Sequence, residues 1–352
     1  MTDQSFALES SGIWSLPRQE SRLQTYRRRA LTGPGYLLAG LLAFALAPVV
    51  YPLALLVDIA GRRRLATVRA IAMAHVYLAS EAAGMAASAW IWLTRGSDRE
   101  RYLERNFHLQ CWWAGTLFRA GARLFSLRVE VDGDELARTG PVLVFSRHVS
   151  PIDNLLPAVL ISDAHGIRLR WVINRSLLRD PCLDIVGNRL PNCFVAAGTG
   201  DSEAEIRRVQ VLGHDLGSRD GVLIFPEGAL FSPSRLERVL SRIEESGDEH
   251  LLARARRLQN LLPPRLGGST ALLEAARGTD VVFLAHTGLE GATEYHNILR
   301  GGLIGRTVRV RIWRVPAEEI PQSRDERAEW LFDQWDKLDS WVSANQPAAL
   351  PR

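Results

Sequence analysis

From Arg128 onward the chain alternates short apolar runs with stretches of helical periodicity, and that alternation restricts it to few folds. Strands fit 128–132, 141–146, 169–173, 193–197, 221–225, 281–287 and 307–314. Helices fit 153–162, 203–216, 234–246, 248–260, 268–277 and 323–345. A further amphipathic helix opens at Ser97-Asp98 and runs to about Gly121, with Leu103, Phe107, Cys111 and Leu117 on its apolar side. The pattern predicts a three-layer α/β domain over 97–345 with a mixed, mostly parallel sheet. A short tail, 346–352, follows.

Two predicted strands end on unusual residues. The first runs into Ser146-Arg147-His148-Val149-Ser150-Pro151-Ile152-Asp153. Ser150 suits an N-cap and Pro151 the first helical position, where its missing N–H is harmless. On a regular helix, His148 and Asp153 would point about 140° apart. With His148 on the turn and Asp153 in the first helical turn, the carboxylate reaches back to the imidazole. That is the pair a general base needs. The plainer reading stands beside it: Asp153 completes a capping box with Ser150, and His148 is an ordinary loop histidine.

The second strand, Gly221–Phe225, ends in Pro226-Glu227-Gly228. In open α/β sheets ligands gather at the carboxyl ends of strands, where His148 and Glu227 both lie. A glycine after the acid lets a ligand approach the backbone. The alternative is a Pro-x-Gly turn with a solvated Glu.

The N-terminal part differs in composition. Residues 1–107 hold thirteen Arg against eight Asp and Glu, a net of +5; the remainder of the +4 chain is −1. A basic excess confined to the most apolar third points to anionic lipid and away from nucleic acid. Ala30–Val57 carries no charge and is long enough to cross a bilayer, although Pro48 and Pro52 predict a kink. Arg62–Arg64 follow, then the Ala/Met-rich stretch Leu65–Thr94, which contains Arg69 and Glu81 and ends near Trp90 and Trp92. Two spanning helices would strand Arg62–Arg64 on the outer face against the positive-inside tendency. A hairpin over residues 1–96 that dips into one leaflet keeps every arginine on one anionic surface and is preferred, with spanning as the alternative. The three cysteines (Cys111, Cys182, Cys193) have no metal-ligand spacing and read as reduced thiols.

Taken together, Arg147-His148-Val149-Ser150-Pro151-Ile152-Asp153 and Phe225-Pro226-Glu227-Gly228 resemble two motifs of the glycerolipid acyltransferase family, which acylates 1-acylglycerol-3-phosphate and related lysophospholipids. Leu262-Pro263-Pro264-Arg265, Val308–Trp313 and Trp330…Trp335-Asp336-Lys337-Leu338-Asp339 look most like its lysocardiolipin-acyltransferase branch. The resemblance covers about residues 100–345.

It implies a membrane-associated O-acyltransferase on the cytoplasmic face of the inner membrane. Its partners would be acyl-CoA or acyl carrier protein as donor and a lysophospholipid as acceptor. His148 would be the base, Asp153 its orienting acid, and Glu227 with Gly228 would position the acceptor; no metal or cofactor is needed. There are departures. Ala197 stands where the family's second motif has an Arg, Asn174 replaces a Lys, and Ala229-Leu230 replace Thr-Arg. Arg175, Arg189 and Arg265 are the candidates to supply the missing phosphate contact, Arg189 and Arg265 foremost. The same departures leave two alternatives: a non-catalytic lipid-binding homologue, or an acyltransferase for a non-phospholipid acceptor.

Overall fold

The computed structural model describes residues 20–196 and 203–346. Ala197 and the tail from 347 therefore lie outside the described residues, as do residues 1–19.

All seven expected strands form, within a residue or two of their expected bounds: β1 (Arg128–Asp132), β2 (Val142–Ser146), β3 (Arg168–Asn174), β4 (Cys193–Val195), β5 (Asp220–Ile224), β6 (Asp280–Thr287) and β7 (Thr307–Val315). They make one sheet in the order β1-β7-β6-β2-β5-β3-β4. Every pairing is parallel except β6 with β7, so β1 and β7 run against the other five. The sheet is mixed and mostly parallel, as the alternation predicts.

Side chains leave a strand on alternate faces, and each face is covered. Val142, Val144, Leu169, Trp171, Leu223, Val282 and Leu284 share one core with Ala114, Leu156 and Ile161. Leu143, Phe145, Val222, Ile224, Val281 and Phe283 share the other with Leu272, Leu331, Trp335 and Leu338. This burial on both faces explains why β2 and β5 read as unbroken apolar runs rather than alternating ones.

Three long helices come first: α1 (Arg22–Ala60), α2 (Ala66–Leu93) and α3 (Arg99–Leu124). The expected kink is not a break, because α1 continues through Pro34, Pro48 and Pro52. Tertiary packing of α1 along α2 keeps the helix going where each proline costs it a hydrogen bond. Asp58, at the end of α1, accepts from the amides of Thr67 and Val68 at 3.0 Å each. It thereby caps α2, whose own cap residue, Leu65, has no side chain for the task.

The charges of the hairpin are used differently from the sequence expectation. Glu81 is fully buried, accepting from Trp113 Nε1 at 2.7 Å and from the Cys182 amide at 3.0 Å. Arg69 donates to the Leu124 carbonyl and to Ser126 Oγ at 3.1 Å. Arg28 and Arg29 converge on the buried carboxylate of Asp184, Arg28 in a two-pronged contact at 2.9 and 3.0 Å. These residues bind protein, not headgroups. Sequence distance hides this, since the partner of Arg28 lies 156 positions away. Helix α2 is therefore an inner layer between α1 and the α/β body. The outward side of α1 exposes Leu31, Leu38, Leu41, Leu56 and Ile59, among others. By length and composition α1 is the one described helix able to cross a membrane.

Candidate active site

Strand β2 is hydrogen-bonded between β5 and β6, so the carboxyl ends of these three strands converge. The Arg147 amide extends the ladder by donating to the Leu284 carbonyl at 3.1 Å, and the chain then turns. His148 is the first residue of that turn.

The turn differs from the expected helix start. Regular helix begins only at Leu155, and the helix widens to π geometry over Ala158–Asp163. Ser150 is not an N-cap. Its hydroxyl donates to Asp153 Oδ1, while the amides of Val149 and Ser150 donate to Oδ2, the latter at 2.7 Å. A carboxylate takes this place better than a hydroxyl because it accepts several donors at once. The fully buried Asp153 is thereby fixed beneath His148, with Oδ2 3.4 Å from His148 Nδ1. At that distance the contact is close but not yet a well-formed hydrogen bond, and Nδ1 has no aligned partner. Catalytic hydrogen bonds often tighten only when substrate is bound.

The His148 ring lies against Phe225, centroids 4.3 Å apart and tilted 30°, and its side chain is 17% exposed. With Nδ1 turned to Asp153, Nε2 is the nitrogen left for a ligand. Backed by a carboxylate at Nδ1 and open at Nε2, the imidazole is arranged as a general base.

Glu227 is not a solvated turn residue. It is buried, Oε1 accepting from the His148 amide at 2.7 Å and Oε2 from the Leu262 amide at 2.9 Å. Both oxygens are thus committed to backbone groups. The His148 carbonyl in turn accepts from the Phe231 amide at 2.7 Å. Gly228 has φ +63°, and the Arg265 guanidinium lies so close that a Cβ there would meet its Nε at 2.6 Å. The Arg265 side chain has no hydrogen bond or ion pair to a described residue, and its amide donates to the Pro226 carbonyl at 2.8 Å.

Arg189 is placed elsewhere. It donates to the Ser88 carbonyl at 2.9 Å and to Asn106 Oδ1 at 3.2 Å, bracing α2 against α3. Asn174 also has a local task, accepting from the Ser176 amide at 2.8 Å.

Residues that the sequence did not single out complete the surroundings. His286, fully buried at the end of β6, points Nε2 at the Arg147 carbonyl (3.1 Å), with Asp153 Oδ2 3.6 Å away. Arg147 donates to the His286 carbonyl at 2.6 Å and to Glu290 Oε1 at 2.8 Å. Trp335 Nε1 holds the Leu262 carbonyl at 3.1 Å, and Asp339 accepts from the Asn260 amide at 2.7 Å. The sequence signal for His286 is a polar pair, His286-Thr287, closing a buried apolar strand. Among the described residues no group of three or more His, Cys, Asp or Glu is placed to hold a metal ion.

Burial pushes the Glu227 carboxyl up to about 8, and the two amide donors only partly offset it. Burial also works to raise Asp153, but adjacent imidazoles and hydrogen bonds outweigh it and hold this carboxyl below its usual range. Burial itself pulls His286 toward its neutral form, so at pH 7 the hydrogen bonds carry most of the anion's stabilisation. The raised Glu227 pKa fixes a sign. The folded state holds a proton that the unfolded chain releases near its ordinary value of 4.5, so the associated stability is present below 4.5 and lost as pH rises through about 8. Chemical unfolding of the wild type should show stability declining across this window, and Glu227→Gln should flatten that decline. An identical pH dependence in the two proteins would contradict the assignment.

Residues 128–282 match the Acyltransferase family model, a stretch that contains His148, Asp153 and Glu227. No curated protein is similar enough in sequence to count as a relative. Among solved structures, the chain is similar to the 1-acyl-sn-glycerophosphate (LPA) acyltransferase PlsC from Thermotoga maritima. Identity is 14%, the TM-score is 0.52, and the match covers 83% of this chain and 98% of that one, so the two share a fold. The strand-end histidine and the carboxylates beside it thus lie within the stretch, residues 128–282, that matches the Acyltransferase family model.

Proposed function

We propose that the protein moves a fatty acyl group from a thioester, acyl-CoA or acyl carrier protein, to a hydroxyl of a lysophospholipid of the 1-acylglycerol-3-phosphate type. The observation that carries this is His148, with its Nδ1 backed by Asp153 and its Nε2 open at the convergence of three strand ends. Nε2 takes the acceptor's proton as the hydroxyl oxygen attacks the thioester carbonyl. The C–O bond forms, the C–S bond breaks, and the proton passes to the departing thiolate. Asp153 stabilises the imidazolium formed between these steps. Glu227 acts through the backbone, holding His148 to the 262–265 segment.

Purified protein incubated with radiolabelled oleoyl-CoA and a panel of lysolipids tests the reading. His148→Ala should abolish transfer with the fold intact. Asp153→Asn should lower kcat, by about 10⁴ if it behaves as the Asp in a Ser-His-Asp triad does. Residual His148→Ala activity within about tenfold of wild type would remove His148 as the base.

Arg265 is the better candidate for the acceptor's phosphate. Its guanidinium is uncommitted beside Gly228, whereas that of Arg189 is spent on Ser88 and Asn106. Arg265→Ala should raise KM for lysophosphatidic acid roughly ten- to a hundredfold, the value of a charge-assisted contact, and change KM for an uncharged acceptor little. Arg189→Ala should lower thermal stability and leave KM near wild type. An unchanged KM in Arg265→Ala would place the phosphate elsewhere.

The hairpin supplies membrane association. Because α2 is packed against α3, the longest open apolar face among the described residues is that of α1, with Trp90, Trp92 and Leu93 exposed at the far end of α2, and α1 lies in the plane of one leaflet with the catalytic side cytoplasmic. Cysteines introduced at Gly61 and Gln346 should both react with an impermeant maleimide from the cytoplasmic side. Labelling of position 61 solely from outside would establish a spanning hairpin instead.

A further inference from the structure

The peptide unit joining Arg147 to His148 is gripped at both ends. Its N–H donates to Glu227 Oε1 at 2.7 Å, and its carbonyl accepts from His286 Nε2 at 3.1 Å. The grip is reciprocal across the strand ends, because the Arg147 guanidinium donates to the His286 carbonyl at 2.6 Å. Side chains take over from the β2–β6 ladder just where it stops.

We propose that His286 is a positioning residue of the acyl-transfer site, a permanently neutral Nε2–H donor that fixes the peptide carrying His148 and flanks the anion of Asp153. The proposal rests on the reading of His148 as the base.

The tautomer follows from the partners. A carbonyl oxygen only accepts, so Nε2 carries the hydrogen, and Nδ1 is then the bare nitrogen. Nδ1 is buried without a partner. A second proton there would be an unsatisfied buried donor, which is costly. The charged groups around the ring are Asp153, Arg147 and Glu290. Arg147 already supplies the cation on this side, paired with Glu290 at 2.8 Å. A charged His286 would put a second cation beside it and draw Asp153 away from His148. A neutral donor instead leaves the Asp153 charge for the imidazolium that forms on His148.

Two substitutions separate positioning from bulk. His286→Gln keeps an N–H near the Nε2 place and has no charge to gain; His286→Leu keeps the volume and removes the donor. With oleoyl-CoA and lysophosphatidic acid, His286→Leu should lower kcat roughly tenfold, the value of a hydrogen bond lost from a buried carbonyl that keeps only the longer 3.3 Å contact from Ser146 Oγ, with KM within about threefold. His286→Gln should recover to within about fivefold of wild-type kcat.

The ¹⁵N-imidazole resonances of the wild type, in detergent, provide a readout independent of turnover and of mutant folding. His286 should show the Nε2–H tautomer and no titration between about pH 5 and 8. In folded His286→Leu the His148 imidazole resonances should move from their wild-type positions, and in His286→Gln they should stay. Wild-type kcat in folded His286→Leu, equal losses in the Leu and Gln variants, or a titrating or Nδ1–H His286 would each overturn the proposal. A wild type without acyl transfer would instead defeat the reading of His148, and the resonances alone would then decide the state of His286.

Discussion

The buried carboxyl of Glu227 is the contact on which the site's arrangement depends. Its two oxygens accept from the amides of His148 and Leu262, so three segments far apart in sequence are held by one side chain. Either amide, left buried without an acceptor, would cost about 1–3 kcal/mol. The cost of placing a carboxyl there appears as its raised pKa. A residue whose oxygens both face the backbone acts on the chemistry through the position of His148.

From this contact the network spreads to both layers of the fold. The Leu262 carbonyl accepts from Trp335 of the C-terminal helix (Arg324–Ala344), and Asp339 of the same helix caps the amides of Gln259 and Asn260. The Asn260 carbonyl lies 3.4 Å from Arg147, which reaches back to β6. The sheet fixes where β2, β5 and β6 end, and the helix behind it fixes the loop that completes the site. The amides of Gln259, Asn260 and Leu262 and the Leu262 carbonyl are all held by side chains, so the segment before Arg265 needs no regular structure of its own.

Much of this was legible in the sequence because its cause is local. Burial on both faces writes an apolar run, and all seven strands were found from such runs. His148, Asp153 and Glu227 were found because each follows a run or its turn within a few positions. Ser150 was misread for the same reason: Ser before Pro fits a helix cap, and nothing nearby shows that Asp153 turns inward to take its hydroxyl. His286 was missed because its meaning lies in Arg147, 139 positions earlier. Arg189 reads as one of several candidates for a phosphate contact because its partners, Ser88 and Asn106, lie 101 and 83 positions away.

The hairpin shows the same limit on a larger scale. Charge counting places arginines near anionic headgroups and treats Arg69 and Glu81 as costly within lipid. In the folded chain Glu81, Arg69, Arg28 and Arg29 all have protein partners, so their desolvation is offset inside the molecule. What stays exposed is the apolar outward side of α1 and the arginines of the turn. Arg62 and Arg64 hold that turn at φ 50° and 52°. The turn packs near Gly301 and Gly305, which precede β7. Antiparallel pairing puts the start of β7 at the carboxyl end of β6, with Arg309 opposite Thr287. The end of the hairpin that carries the exposed arginines is therefore the end at which His148 opens, so the basic turn of the hairpin and the proposed base face the same side of the molecule.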